Sequence, residues 1–358
     1  MTTERRASES IKGGNAMKRS WKPIVTFTVI AIGLLVGLAV GHLDAQQKNI
    51  LASKKVAAAP ALDGSVDATW SGAQPLVVKV IGGKNLPGGT TEVSLRSVVA
   101  GDTIYFQAQY KDPTQSLRRE PWQKQADGSW KKLKDPDDKG GDNNTYYEDK
   151  LAMIWNISSP AFEQRGCMAA CHTGEGKPYG NKYLPNPNER ADIWHLKGVR
   201  TGTVGQADDQ YLDGTRYDKD KAPEAGRKSD PKTGGGYVDN VSDDKKGPNF
   251  ALKGNKPAPP YWIVDADKEP FDDSKYKAGD EVPGIIVAPF TGDRGDIRAG
   301  VTWKDGVYTV VMWRKLVTNS EYDVQFNEKK EYAFGVAVFD NAQVRHAFTP
   351  GVLKLIIE

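Results

Sequence analysis

The chain has 358 residues, of which 38% are hydrophobic, and a formal net charge of only +3. This near-neutral balance, with no basic stripe along the sequence, argues against a nucleic-acid-binding protein. The apolar fraction is enough for one large or two modest cores, and the 37 Gly and 21 Pro indicate a loop-rich, β-rich body rather than a helical one.

The N-terminus carries the pattern of an export signal or membrane anchor. Residues 1–22 form a basic cytoplasmic segment, and the apolar stretch 23–43 that follows contains no Asp, Glu, Lys or Arg. The preceding positive charges place the N-terminus in the cytoplasm and the body outside. The length of the stretch fits both a retained transmembrane helix and a signal peptide cleaved after Ala45. We expect an extracytoplasmic body on the periplasmic side, and favour an anchor in the cytoplasmic membrane.

The body is predicted to be one domain, 61–358, after a linker over 44–60. The segments Val93–Val99 and Thr103–Tyr110 predict a hairpin, because the second alternates apolar and polar residues and a Gly-Asp turn separates the two. Residues 111–148 are polar and predicted to be a loop. Further strands are predicted at Lys150–Ile157, Tyr261–Val264, Gly284–Val287, Ile297–Trp303, Val307–Arg314, Tyr332–Phe339 and Val352–Ile357.

A long insertion, about 158–260, shows little regular pattern apart from one apolar island at Ala191–Lys197. Irregular segments of this length in a compact domain are usually functional, and enclosing a cofactor is one physical reason for them. The predicted fold is therefore all-β: an antiparallel β-sandwich of roughly 9–12 strands with a long irregular insertion that encloses a cofactor, preceded by the N-terminal helix.

The two cysteines of the chain, Cys167 and Cys171, are separated by three residues, and His172 follows the second. This is the C-x-x-C-H haem-attachment signature with one additional residue between the thiols. Both thiols can form thioethers with haem vinyl groups, which holds the adjacent histidine beside the iron as the proximal ligand. The segment predicts one covalently bound haem c.

Three other interpretations of the sequence remain open. The pair could form a local disulfide or remain as free thiols, although free thiols are uncommon in exported proteins and a short loop makes a weak staple. The Cys, His and Met content is also compatible with a copper-binding electron-transfer or chaperone domain. Finally, a sandwich of this kind could be a ligand-binding module without redox activity.

Electron-transfer haems usually have a second axial ligand from His or Met. His195 and His346 are the candidates for the distal ligand, and Met153 is the alternative. His195 lies between Trp194 and Leu196, a setting suited to a haem face. Each candidate also has an ordinary interpretation, as a packed core residue or a loop histidine.

In several ordered motifs across 60–358, the sequence resembles the haem-binding gamma subunits of ethylbenzene dehydrogenase and related exported molybdenum oxidoreductases of the dimethyl sulfoxide reductase class, together with related c-type cytochromes. The motifs are Leu62-Asp63-Gly64 with Trp70, Tyr110-Lys111-Asp112-Pro113-Thr114, Asp149-Lys150-Leu151-Ala152-Met153-Ile154-Trp155, Asp192-Ile193-Trp194-His195-Leu196-Lys197, and Phe334-Gly335-Val336-Ala337-Val338-Phe339-Asp340-Asn341 with Arg345-His346.

The resemblance implies a β-sandwich with haem held at one end of the sheets, passing electrons between a catalytic partner and another carrier. In the gamma subunits the haem is b-type and bound by a Met and a Lys. Met153 matches the Met-bearing strand, and His346 falls where the Lys would be. The added Cys167–His172 segment is a departure that implies a covalent haem, with His172 in place of Met153.

The expected function is an exported monohaem c-type cytochrome that transfers single electrons and has no substrate chemistry of its own. Its expected partner is a redox protein, or the molybdenum oxidoreductase or respiratory complex of which it is a haem subunit.

Overall fold

The computed structural model describes residues 49–63, 65, 67–136, 145–168 and 182–358. The predicted basic segment 1–22, the apolar helix 23–43, Cys171 and His172 all lie outside these residues. Within the described part of the chain, no helix combines the length and the apolar character that a membrane span requires.

The described helices and strands, in chain order, are β1 (Ile50–Lys55), α1 (Ala68–Ser71), β2 (Leu76–Ile81), β3 (Thr90–Ala100), β4 (Thr103–Lys111), β5 (Trp122–Lys124), β6 (Trp130–Lys132), β7 (Lys150–Asn156), α2 (Pro160–Arg165), β8 (Ala191–Lys197), β9 (Asp208–Leu212), β10 (Arg227–Ser229), β11 (Gly234–Asp239), β12 (Phe250–Ala251), β13 (Ile263–Val264), β14 (Glu269–Pro270), β15 (Glu281–Val282), β16 (Ile285–Thr291), β17 (Arg298–Lys304), β18 (Val307–Lys315), β19 (Tyr332–Phe339), β20 (Ala347–Phe348) and β21 (Leu353–Ile357).

Thirteen of these strands form two packed antiparallel layers. The first layer has the order β10-β9-β8-β7-β19, and the second has the order β2-β3-β4-β18-β17. The layers are joined along one side, where β20 pairs with both β19 and β2, and where β21 pairs with β19 and β1. The mostly β, sandwich-like prediction is confirmed. Three smaller sheets, β11-β16-β13, β12-β14 and β15-β5-β6, lie outside these layers.

The core between the layers is built around large aromatic side chains. The ring of Phe106 on β4 lies 5.0 Å from Trp155 on β7 and 5.5 Å from Trp194 on β8, measured between centroids. Trp155 stacks on Phe334 of β19 at 4.8 Å. Each such ring buries about 150–250 Å² and contributes more than any aliphatic neighbour. Phe106 comes from the second layer and the other three rings come from the first, so these contacts fix how the layers face each other.

Two predicted hairpins are confirmed by their register. Val99 pairs with Ile104 in the hairpin of β3 and β4. Lys304 pairs with Val307 in the hairpin of β17 and β18. The two residues of its turn, Asp305 and Gly306, have φ angles of 51° and 77°. A tight turn with two left-handed residues matches the twist of the flanking strands, which is why Asp-Gly suits it.

The structure differs from the sequence prediction in three segments. The predicted linker 44–60 contains β1, which pairs in parallel with β21 and β3. The predicted loop 111–148 contains β5 and β6, which pair with each other. The predicted insertion 158–260 is not a separate irregular segment, because β8, β9 and β10 complete the first layer. The polar residues of β9 are paired with residues far away in sequence: Asp208 with Arg294, and Asp209 with Arg314.

Candidate functional site

A cavity of about 400 Å³ lies over the outer face of the first layer, on the side away from the core. This volume is within the range of roughly 300–1,000 Å³ that is usual for ligand and cofactor pockets. Successive side chains of a strand point to opposite faces, so β7 contributes residues both to the core and to the cavity. Its residues Leu151, Met153 and Trp155 are buried in the core, whereas Ala152 and Ile154 line the cavity.

The floor of the cavity is a row of paired residues on three neighbouring strands. Ala337 of β19 pairs with Ala152 of β7, and Ala152 pairs with His195 of β8. The next row includes Ile154 and Ile193, which are also paired. The two small alanines leave a flat apolar surface beside the imidazole of His195.

Cys167 lines this cavity, and its side chain is 7% exposed. Helix α2 leads to it, capped by the Ser159 side chain at its start and ended by Gly166. Gly166 has a φ of 77°, and a Cβ there would lie 2.8 Å from the carbonyl oxygen of Gly351, so glycine is required. Burial raises the pKa of the Cys167 thiol to about 11, so the neutral thiol is the dominant form at neutral pH.

Space for the Cys167 thiol comes from a glycine in the neighbouring strand. A Cβ on Gly335 of β19 would lie 3.0 Å from Cys167 Sγ. The thiol therefore sits directly against the backbone of a strand that also supplies part of the cavity lining.

His195 is 6% exposed and has one polar partner, Gln210 of β9. Its Nδ1 lies 3.1 Å from Gln210 Oε1. With Oε1 as the acceptor, the proton is on Nδ1. Nε2 has no hydrogen-bond partner among the described residues. Burial, and then the charges of Lys197 and Lys150, hold the pKa of His195 well below its usual value. The ring is therefore neutral, with a lone pair on Nε2, which is the form that ligates metals.

His346 is half-buried and lines the same cavity. Its Nδ1 lies 2.8 Å from the carbonyl oxygen of Val344, which can only accept, so Nδ1 donates. The ring of Phe339 is near both histidines, at centroid distances of 5.5 Å from His195 and 4.6 Å from His346. The fold thus brings together three predicted site residues, Cys167, His195 and His346, which are far apart in sequence.

Met153 is placed differently. It is fully buried in the core, on the face of β7 opposite to Ala152, and it is not among the residues that line the cavity. Its neighbours across the strands are Val336 and Trp194. In this arrangement the thioether fills space between the layers and is not directed at the candidate site.

A set of cationic residues in the cavity wall was not predicted from the sequence. Lys150 and Lys197 are directly opposite each other on β7 and β8, an arrangement of like charges that is unfavourable without compensation. Lys197 forms an ion pair with Asp208, and Arg200 forms one with Glu148. Both carboxylates are fully buried.

Among the described residues, Lys150 has no such carboxylate partner. Its Nζ donates to the carbonyl oxygen of Gln343 at 2.8 Å and lies 4.0 Å from the centre of the Phe339 ring. Burial and the nearby charge of Arg200 hold its pKa well below the usual value. An anionic group on a ligand, such as a carboxylate, would stabilise the charged form of Lys150 and raise its pKa again. Lysines at the cavity-facing positions of two adjacent strands were the sequence signal that could have identified it.

Several solved structures have a similar course of the chain. A family 9 carbohydrate-binding module from Caldicellulosiruptor kristjanssonii, in complex with cellotriose, is 7% identical, with 86% of this chain and 93% of that chain covered and a TM-score of 0.34. A protein from Bacteroides uniformis ATCC 8492 described as carbohydrate-binding is 11% identical, with 87% and 99% covered and a TM-score of 0.36.

In sequence, no curated protein matches the chain. A profile of the ethylbenzene dehydrogenase family does match it, over residues 67–349. That range includes both layers of the sandwich but not β1 and β21, which pair with each other between β3 and β19, and it includes every described residue of the candidate site. The chain therefore belongs to the ethylbenzene dehydrogenase family.

Proposed function

We propose that this protein is an exported c-type cytochrome that binds one covalent haem in the cavity of the first layer and transfers single electrons. The observation that carries the proposal is the shared position of Cys167, the first cysteine of the attachment segment, and two histidines in one cavity. Haem supplies a one-electron Fe(III)/Fe(II) couple when it is bound.

In this proposal each residue has a defined role. The thiols of Cys167 and Cys171 each add across a vinyl group. The sulfur bonds to one vinyl carbon and the hydrogen goes to the other, so no oxidant is consumed. His172 is the proximal ligand. Cys171 and His172 enter from the sequence, as residues outside the described part of the chain.

For the distal ligand, the environment of His195 favours it over His346. His195 is buried and neutral, and its Nε2 has no protein partner within the described residues. The hydrogen bond to Gln210 fixes the tautomer and the orientation of the ring, as outer partners of metal-ligating histidines usually do. His346 remains the second candidate, because its Nδ1 is also held by an acceptor.

The remaining parts of the proposal concern location and partners. The basic segment and apolar stretch of the N-terminus favour export, with an anchor in the cytoplasmic membrane. With electron transfer as its role, the protein needs a redox partner, either an oxidoreductase complex that includes it as a haem subunit or a separate carrier. We propose no substrate chemistry for the chain itself.

The proposal is tested by expressing the full chain in a bacterium that attaches c-type haem. We expect a haem stain that persists after denaturing electrophoresis, and about one iron per chain. Cys167→Ala and Cys171→Ala should each reduce the covalent haem strongly, because one thioether is lost. Met168→Ala is the matched control, since this side chain lies next to Cys167 and is exposed. Stoichiometric copper without covalent haem, or no metal at all, would overturn the proposal.

A further inference from the structure

A second polar site lies on the core-facing side of β8 and β9, opposite to the cavity. Three aspartates contact the guanidinium of Arg314 on β18 there, and three more lie close to these three. From Arg314 Nη1 the distances are 3.0 Å to Asp192 Oδ2, 3.0 Å to Asp323 Oδ1 and 3.5 Å to Asp209 Oδ2. We call this group the aspartate cluster; its members are Asp192, Asp209, Asp230, Asp293, Asp296 and Asp323.

The charges of the aspartate cluster do not balance within the described protein. Arg314 is 2% exposed, and its Nη2 donates a hydrogen bond of 2.8 Å to the carbonyl oxygen of Val324. The nearby Arg294 is bonded to Asp208, outside the cluster. One cation thus faces six carboxyl groups, four of which are buried. Buried carboxylates are normally paired or bound to a metal, because their desolvation is costly.

Several oxygen atoms of the cluster have no hydrogen-bond donor among the described residues. The clearest case is Asp230, which is 3% exposed and has both carboxyl oxygens without a partner. Among the described residues, no hydrogen-bond donor contacts the Oδ1 atoms of Asp192, Asp209 and Asp296 either. Unpartnered carboxyl oxygens at such depth need either a proton or a bound cation to compensate their charge.

Within the aspartate cluster, two sets of three carboxyl oxygens are close enough together to ligate one ion. One oxygen each of Asp192, Asp209 and Asp323 lie within 4.8 Å of one another, and so do those of Asp293, Asp296 and Asp323. Two oxygens that ligate the same Ca²⁺, at about 2.3–2.6 Å, are separated by at most about 4.6–5.2 Å. The two sets share Asp323, so the ligands form one continuous group.

We propose that the aspartate cluster is a binding site for one divalent cation, and that Ca²⁺ is the ion it fits. The donor set consists of carboxylates, with no sulfur or imidazole, which selects a hard cation. Ca²⁺ accepts six to eight oxygens in flexible geometry, whereas Mg²⁺ requires a small octahedron and retains several waters. The ion would connect β8 and β9 of the first layer with the loop that holds Asp323.

The competing way to neutralise the cluster is protonation. Burial and the neighbouring carboxylates raise the pKa of Asp230 to about 8, and burial raises that of Asp192 to about 7. Protons and Ca²⁺ would then compete for the same oxygens, and binding of the ion would release protons. This difference makes the two states distinguishable by experiment.

The test uses the full-length purified protein after treatment with EDTA and dialysis, with CaCl₂ as the probe. We expect one Ca²⁺ per chain by calorimetry and elemental analysis, a rise in Tm of about 5 °C at saturation, and release of protons in weak buffer. MgCl₂ at the same concentration should produce a much smaller shift. A Tm that is unchanged by CaCl₂, with no stoichiometric binding, would overturn the inference and leave protons as the neutralising species.

Asp323→Asn keeps the shape of the side chain and removes one charge from the residue common to both sets, so it should fold and should weaken Ca²⁺ binding at least about tenfold. Asp243→Asn, at an exposed acidic position, is the matched control and should bind like the unmodified protein. Undiminished binding by Asp323→Asn would place the ion elsewhere and refute this site. If that variant did not fold, the stoichiometry and proton release of the unmodified protein would decide. Neither readout depends on bound haem.

Discussion

At the scale of single residues, the candidate site depends on how each histidine is held. Gln210 fixes the ring of His195 from β9, whereas the backbone of Val344 fixes His346 from its own loop. A side chain anchored on a strand of a sheet is more rigid than one anchored within a loop. His195 is therefore better prepared to hold a metal at a fixed distance.

This difference predicts the outcome of two substitutions in the haem-loaded protein. We expect His195→Ala to convert a six-coordinate, low-spin spectrum into a high-spin one, because the distal ligand is lost. His346→Ala is the matched variant in the same cavity, and it should retain the low-spin spectrum. Absorption spectra of the oxidised and reduced forms provide the measurement.

The reverse pattern, with a high-spin spectrum only in His346→Ala, would assign the distal position to His346. Low-spin spectra in both variants would exclude both histidines as the distal ligand. The haem attachment itself would remain supported in either case, because the thioethers are formed by other residues.

At the scale of elements, strand β19 connects the cavity to the attachment segment through Gly335. A methyl group there would lie 3.0 Å from Cys167 Sγ and 3.2 Å from Thr349 Oγ1. Since both neighbours are packed, they have little room to move. We expect Gly335→Ala to lower the free energy of unfolding by about 1–3 kcal/mol, as overpacked core substitutions do. Urea denaturation monitored by tryptophan fluorescence provides the measurement.

Two further variants isolate the cause of this loss. Gly351→Ala is the control, because nothing lies within 4 Å of the added Cβ, and its stability should be unchanged or slightly higher. In a Cys167→Ala background, Gly335→Ala should cost less, because the sulfur it meets is gone. Equal costs in both backgrounds would contradict the proposed contact between β19 and Cys167.

Individual strands show which parts of the fold can be predicted from the sequence. Strands with clear alternation, such as β4, and the Asp-Gly hairpin of β17 and β18 follow from local patterns. Strand β9 does not, because its sequence, Asp-Asp-Gln-Tyr-Leu, has the composition of a loop. It forms a strand because Lys197 and Arg294 neutralise Asp208, and Arg314 faces Asp209. Those partners are contributed by distant segments, which no local pattern reveals.

The candidate site was predicted in part for the same reason. Cys167, His195 and His346 were identifiable by residue type, and only the fold shows that they share a cavity. Met153 has the same residue type as a haem ligand but the opposite direction on β7, because adjacent side chains of a strand alternate. That direction depends on which face of the strand meets the core, and both faces of the first layer are covered.

At the scale of the whole molecule, a second group of buried carboxyl groups lies where the two layers meet at their strand ends. Asp112 follows β4 of the second layer, whereas Asp149 and Asp340 flank β7 and β19 of the first. Tyr308 donates a hydrogen bond of 2.7 Å to Asp149 Oδ2. Asp112 Oδ2 has no hydrogen-bond partner among the described residues. The junction of the layers therefore contains a carboxyl group that is poorly compensated when charged.

This junction predicts a dependence of stability on pH. Burial, followed by the charges of Asp149 and Asp340, raises the pKa of Asp112 to about 8, far above the usual value of about 4. The folded state then binds more protons than the unfolded state between these two values, so the contribution of Asp112 to stability falls as the pH rises from about 4 to 8. Asp112→Asn should remove this part of the dependence, because the amide is neutral at every pH and its oxygen can still accept from the Thr114 amide.

The measurement is Tm as a function of pH between 5 and 9 for the unmodified protein, Asp112→Asn and the exposed control Asp243→Asn. The difference in free energy of unfolding between Asp112→Asn and the unmodified protein should become more favourable to the variant with rising pH, by on the order of 1 kcal/mol or more from pH 5 to pH 8. The control should follow the unmodified protein throughout. A constant difference over this range would mean that Asp112 is ionised in the folded protein at pH 5, and that a positive partner compensates its charge at the junction of the layers.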